Sequence, residues 1–407
     1  MRHLLCPVLL LLLLCCAGTS LAAVVQHLPQ KGESAFHAYT VANHGKSGRN
    51  WKPIHIEVSA EDVDKVLKSC DRKRAWAERT GRSFLRTDED KALCDDETGI
   101  TDKKKDLLLN KLLPDAIQLH TDRLSIERKE GKVVVSASTI RSFSTECKVT
   151  VASDHKTNGF PNADFVLFVG LAASQTPTRI CSQELDKRPT SALIHFVPKD
   201  IVDTRHFVRT AAHEIAHGLG FLVNRMKDLG LIKYGAMGAN KMAVYSKIMQ
   251  RKMRKHYDCE VELVTGMYME DEGNGQYTSH WERRIAKDEL MSPYTGEPSG
   301  MYYTALTLAA FHSMPFYKAN FNMAESMSWG KKSGCDLLHK TCTRSKYELM
   351  KYTSMFCDEN EPVLQCTSDR FALGMCSSIS VLDTLPEVYS YFTKTAGQNE
   401  MTNGCPI

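Results

Sequence analysis

The sequence has no C-x-x-C pair among its fourteen cysteines, so it offers no local pattern for a closed cysteine cage around a metal. It has no N-x-[ST] sequon, no internal repeat and no low-complexity tract. Its net charge of +4 over 407 residues is too small for a nucleic-acid partner to be expected. The basic run Arg251-Lys252-Met253-Arg254-Lys255 reads as a solvated helix face. Past the first 22 residues no apolar run is long enough to span a bilayer. The start differs: Met1-Arg2-His3, an apolar run from Leu4 to Cys16 interrupted by Pro7, then Ser20-Leu21-Ala22. A charged start, a short apolar core and a small-residue end predict a secretory signal peptide over 1–22.

Three cysteines, Cys6, Cys15 and Cys16, fall in that leader, which leaves eleven, an odd number. They crowd toward the C-terminus, as disulfides do in an oxidising compartment. Residues 23–50 are polar and carry no cysteine, and read as a short pro-segment or flexible arm.

What the sequence does carry is His213-Glu214-Ile215-Ala216-His217, followed by Gly218-Leu219-Gly220-Phe221. Residues four apart share a helix face, so both imidazoles point the same way. This spacing suits a tetrahedral zinc, and the adjacent Glu214 can reach a water activated by the metal, as in the H-E-x-x-H peptidases. The surroundings predict the helix. Asp203 or Thr204 can cap it, and Phe207, Val208, Ala211, Ile215 and Leu219 form an apolar stripe of helical period. Two histidines do not complete a catalytic site, which takes three protein ligands and leaves a position for water. In the short metzincin pattern the third histidine closely follows the glycine, but Val223 stands there. Further on lie Tyr277-Thr278-Ser279-His280-Trp281 and then Asp288-Glu289-Leu290-Met291-Ser292-Pro293, which is similar to a Met-turn.

These segments resemble the leishmanolysin family, surface zinc metallopeptidases of metzincin type found in kinetoplastids. The likeness rests on HEIAHGLGF at 213–221, SHWERR at 279–284, DELMSP at 288–293, GMYYTALTLAAF at 300–311 and MSWGKKSGC at 327–335. Upstream, IHIEVSAEDV at 54–63 and LLPDAIQLHTDRL at 112–124 extend it, and it runs from about Trp51 to Ile407. The family inserts a long segment before its third histidine. The resemblance therefore implies one zinc ion held by His213, His217 and His280, with Glu214 as catalytic base and Met291 as the Met-turn residue packed beneath the metal. His256 is the nearest competitor for third ligand, but no Met-turn follows it.

The expected fold class is α+β: a metzincin-like two-subdomain zinc peptidase with a sheet, an active-site helix and a partial C-terminal domain. The expected divisions are an N-terminal catalytic subdomain over 51–224, a central subdomain with the insertion over 225–340, and a partial cysteine-rich domain over 341–407. Strands are expected at 54–58, 133–137, 164–169 and 192–197, and a helix over 106–119. The resemblance implies disulfides Cys70–Cys94, Cys147–Cys181, Cys259–Cys335, Cys342–Cys405 and Cys357–Cys376, leaving Cys366 over. It implies zinc-dependent endopeptide hydrolysis, with proteins or peptides as substrates and no nucleic acid. The secretory route and the family together imply a secreted or cell-surface protein with an association with cell adhesion. The family's GPI signal is not expected in this chain, since no small-residue site, spacer and hydrophobic tail close it. The alternative is a surface or adhesion homologue that is weakly active or inactive.

Overall fold

A computed structural model of the protein describes residues 50–128, 147–161, 163–234, 241–260, 266–271, 276–293, 299–339, 355–356 and 365–374. The leader, the segment 23–49, the strand expected at 133–137 and most of 341–407 lie outside the described residues.

The chain begins with β1 (Trp51–Pro53) and β2 (Ile56–Ser59), then a long helix α1 (Glu61–Thr80). The helix expected over 106–119 is present in three parts: a turn Asp102–Leu107, a π-helical segment Leu108–Leu112, and α2 (Leu113–Thr121). Pro114 has no N–H to donate, and the Leu113 N–H reaches back five residues to the Leu108 carbonyl. The wide turn thus absorbs the missing hydrogen bond without ending the helical run. Then come β3 (Leu124–Glu127), β4 (Phe165–Leu171), β5 (Arg179–Gln183) and β6 (Pro189–Phe196). After them run α3 (Arg205–Gly218), α4 (Val223–Asp228), β7 (Ile232–Tyr234), β8 (Met242–Val244) and α5 (Lys247–Tyr257). The last elements the site needs are β9 (Met267–Asp271), β10 (Tyr277–Trp281), α6 (Ala305–Ser313) and β11 (Tyr317–Ala319). The fold is mixed helix and sheet, of the α+β kind.

The largest parallel element is a four-stranded sheet of order β2-β4-β6-β5. Its first three strands are parallel and β5 runs antiparallel to β6. Every residue of β4 is buried, because the sheet is covered on both faces. The two-residue period sorts its side chains. Phe165, Leu167 and Val169 join the main core, while Val166 and Phe168 pack with Cys147, Phe160, Cys181 and Leu193 in a smaller one. Helix α3 lies on the main-core side. A Cβ at Gly218 would stand 2.9 Å from the Ala192 Cβ on β6, so glycine is what permits this close approach.

A second, antiparallel sheet has the order β10-β9-β8-β7, and a third joins β1, β3 and β11. In the third, Tyr317 to Ala319 pairs with Ile126 to Leu124, tying the downstream half of the chain to the upstream half. An ion pair does the same at α3. Arg209 on α3 grips the Glu325 carboxylate with both terminal guanidinium nitrogens, and Glu325 also accepts the Tyr303 N–H. No described helix is long and apolar enough to cross a membrane.

Three of the implied disulfides are present, Cys70–Cys94, Cys147–Cys181 and Cys259–Cys335. Cys342–Cys405 and Cys357–Cys376 lie outside the described residues. Cys366 is exposed and unbonded among the described residues. Thiol labelling of denatured, non-reduced protein is therefore expected to mark Cys366 alone. Its recovery in an intramolecular disulfide would refute the pairing.

Candidate metal centre

Helix α3 forms where the sequence places it. The Thr204 hydroxyl accepts the Phe207 N–H and caps its first turn. The buried stripe of Phe207, Ala211, Ile215 and Leu219 faces the core. Gly220, with φ at +112°, turns the chain away just beyond the helix. His213 and His217 share one face, and their Nε2 atoms are 3.0 Å apart. His280, on β10, reaches the same point from the other half of the chain. Its Nε2 lies 3.2 Å from that of His213 and 3.2 Å from that of His217.

The remaining ring nitrogens are all engaged. His213 Nδ1 lies 2.6 Å from the Leu290 carbonyl, and His217 Nδ1 lies 2.8 Å from the Phe221 carbonyl. His280 Nδ1 lies 3.2 Å from the Thr278 hydroxyl. A carbonyl only accepts, so the Nδ1 atoms of His213 and His217 carry protons, and in the neutral imidazole this leaves the lone pair on Nε2. Burial, with His213 beside it, pushes the His217 pKa down to about 3. Burial followed by the neighbouring His217 and His213 holds His280 well below the usual histidine range. Unprotonated nitrogens converging on one point repel unless a cation sits between them. Imidazole nitrogens about 2.0–2.1 Å from a tetrahedral zinc stand about 3.3–3.4 Å from one another, close to the spacing found. The donor set fits a zinc ion with a fourth position open.

Glu214, half-buried, follows the first of these histidines, and the Thr178 hydroxyl donates to its Oε2. Met291 is completely buried, and its carbonyl accepts the Trp281 N–H beside His280. The turn it belongs to also supplies the Leu290 carbonyl that holds His213. His256 is elsewhere: its Nε2 is bonded to the Trp329 carbonyl at 2.9 Å. His195, half-buried on β6, is bonded to the Thr176 hydroxyl instead. A second group of metal-capable side chains, Cys259, Cys335 and His339, has its two sulfurs joined in a disulfide, so it offers no thiolate.

The leishmanolysin family model matches residues 19–407. The chain belongs to the leishmanolysin family. It is 32% identical over 372 residues to leishmanolysin of Leishmania donovani, covering 88% of this chain and 60% of that protein. The leishmanolysin-like peptidase of Caenorhabditis elegans is 26% identical over 340 residues, covering 64% of this chain and 50% of its own. The ciliated left-right organizer metallopeptidase of Xenopus laevis is 29% identical over 254 residues, with 55% and 34% covered. The chain spans about 60% or less of the length of these relatives. Membership of this family implies a metal.

Three supporting residues were not evident from the sequence. Thr178 is one. Glu289 is buried in the turn that carries Met291, where it accepts the N–H groups of Met291 and Thr304 and the Thr304 hydroxyl. Burial pushes its pKa up to about 7. His120, on α2, bridges two parts of the site. Its Nε2 is 2.9 Å from the Ala212 carbonyl on α3, and its Nδ1 is 3.1 Å from the Tyr303 hydroxyl.

Burial pushes the His120 pKa down to about 3. An unfolded histidine titrates near about 6.5. Between these values the unfolded chain binds the extra proton, so His120 makes stability fall as pH drops, by at most about 1.4 kcal/mol per unit. Between pH 7 and 5 the loss in unfolding free energy should be smaller in His120→Gln than in the unsubstituted protein, by about 2 kcal/mol. Urea unfolding at the two pH values tests this, and equal losses would refute it.

Proposed function

We propose that this chain is a zinc-dependent endopeptidase of metzincin type. His213, His217 and His280 are its three ligands to one zinc ion, and Glu214 is its base. The observation that carries this reading is the convergence of three Nε2 atoms within 3.2 Å of one another, with Glu214 next in sequence to one of them. When bound, zinc lowers the pKa of a water to about 7 and polarises the scissile carbonyl. Glu214 takes the proton of the attacking water and passes it to the leaving amine. Among the described residues strand β5 is the last strand of its sheet, and it begins one residue after Thr178, the residue that touches Glu214. An extended substrate would add to this edge by main-chain hydrogen bonds. Peptide bonds in proteins or peptides are the substrate class, and no covalent acyl-enzyme is required.

The division at 224/225 belongs to the same reading. It sets the helix with His213 and His217 on one side, and His280 with Met291 on the other. So does a secreted or cell-surface location, with adhesion as a second role. A homologue that adheres without catalysis would have no use for Glu214. X-ray absorption at the zinc edge of the purified protein tests the ligand set. Three imidazole nitrogens and an oxygen are expected, and a sulfur ligand would refute the assignment.

A further inference from the structure

Thr178 immediately precedes β5 and is buried, at 9% exposure. Two contacts fix its side chain against α3. The hydroxyl donates to Glu214 Oε2. The methyl lies 3.7 Å from the place a Cβ would take at Gly218. Glu214 and Gly218 are four residues apart and so share a helix face. The missing side chain at Gly218 lets the sheet, and Thr178 with it, approach that face. Pairing of Arg179 with Leu193 on β6 sets the height of Thr178 along the helix.

A glutamate on a helix samples several side-chain rotamers when nothing holds it. A base that must take a proton at a fixed point loses rate for every rotamer that points elsewhere. The Thr178 hydroxyl has one proton, and it is spent on one carboxylate oxygen. The other oxygen keeps its lone pairs for the water.

We propose that Thr178 is a positioning residue for Glu214, holding its carboxylate in the rotamer that presents the second oxygen to the attacking water. This rests on the reading of Glu214 as the base. The methyl contact with Gly218 is packing; the hydroxyl is the functional part. Valine reproduces the shape of threonine and removes only the hydroxyl, whereas serine keeps the hydroxyl and removes the methyl.

The test compares Thr178→Val, Thr178→Ser and Glu214→Gln with the unsubstituted full chain, each zinc-loaded. It measures kcat and KM on a quenched fluorescent peptide, zinc per chain, and the melting temperature of the metal-free protein. Thr178→Val should lower kcat by about 10-fold, the scale of one lost hydrogen bond to a charged group, with KM unchanged. Its zinc content and metal-free melting temperature should match those of the unsubstituted protein. Thr178→Ser should restore most of kcat. If the Val protein does not fold, Thr178→Ala serves in its place, since it needs no added space. A Val (or Ala) variant at full kcat beside an inactive Glu214→Gln overturns this proposal alone. Equal losses in Val and Ser also overturn it, because a variant that keeps the hydroxyl would then fare no better than one that lacks it, which assigns the effect to packing of the whole side chain. A Glu214→Gln protein at full kcat overturns the base reading, and this proposal with it.

Discussion

Glu214→Ala is expected to lower kcat by about 10²-fold or more, the contribution of general-base catalysis, while the protein keeps its zinc and its fold. The side chain is half-buried and bonded to Thr178, whereas the proposed metal donors are three other side chains whose second nitrogens are held by Leu290, Phe221 and Thr278. Removing the carboxylate leaves all of those contacts in place. Zinc per chain, the melting temperature and peptide hydrolysis, measured on one preparation, separate the loss of a base from the loss of a site. Activity near that of the unsubstituted protein would end the assignment.

The second large effect is expected at His280. His280→Ala removes one of three converging nitrogens and leaves a two-histidine site. Loss of an outer-shell partner typically costs about 10–100-fold in metal affinity, and loss of a ligand should exceed that. Hydrolysis should fall almost to background. His256→Ala is the control. His256 is the nearest earlier competitor in the sequence, but its Nε2 is engaged with the Trp329 carbonyl. Its removal should leave zinc content and hydrolysis nearly intact. The reverse pattern, with zinc lost in His256→Ala and kept in His280→Ala, would show that the third ligand is misassigned.

The parts of the site that sequence makes legible are those written in local period. Helix α3 is visible from its Thr204 cap, its apolar stripe and the four-residue step between its histidines. Strands β4 and β6 are visible as apolar runs because a sheet covered on both faces needs no polar alternation. The third histidine carries no such signal. It lies 63 residues after His217, and only the resemblance to leishmanolysin points to it. Thr178, His120 and Glu289 are harder still. Thr178 and His120 meet α3 from 36 and 92 residues away, across contacts that exist only once the sheet and α2 have packed on the helix. Nothing in the composition around a lone threonine or histidine distinguishes such a contact from ordinary core packing. The π-helical turn at Leu108–Leu112 was likewise hidden, because a periodic apolar pattern does not register one widened turn.

The most direct measurement of the central claim takes one purified sample through removal and return of its metal. Zinc per chain and hydrolysis of a quenched fluorescent peptide are recorded before chelation, after chelation, and after stoichiometric zinc is added back. The proposed site predicts one zinc per chain, hydrolysis that falls to background without it, and recovery when it is returned. Full hydrolysis by metal-free protein, or zinc-loaded protein that cleaves no peptide, would contradict it.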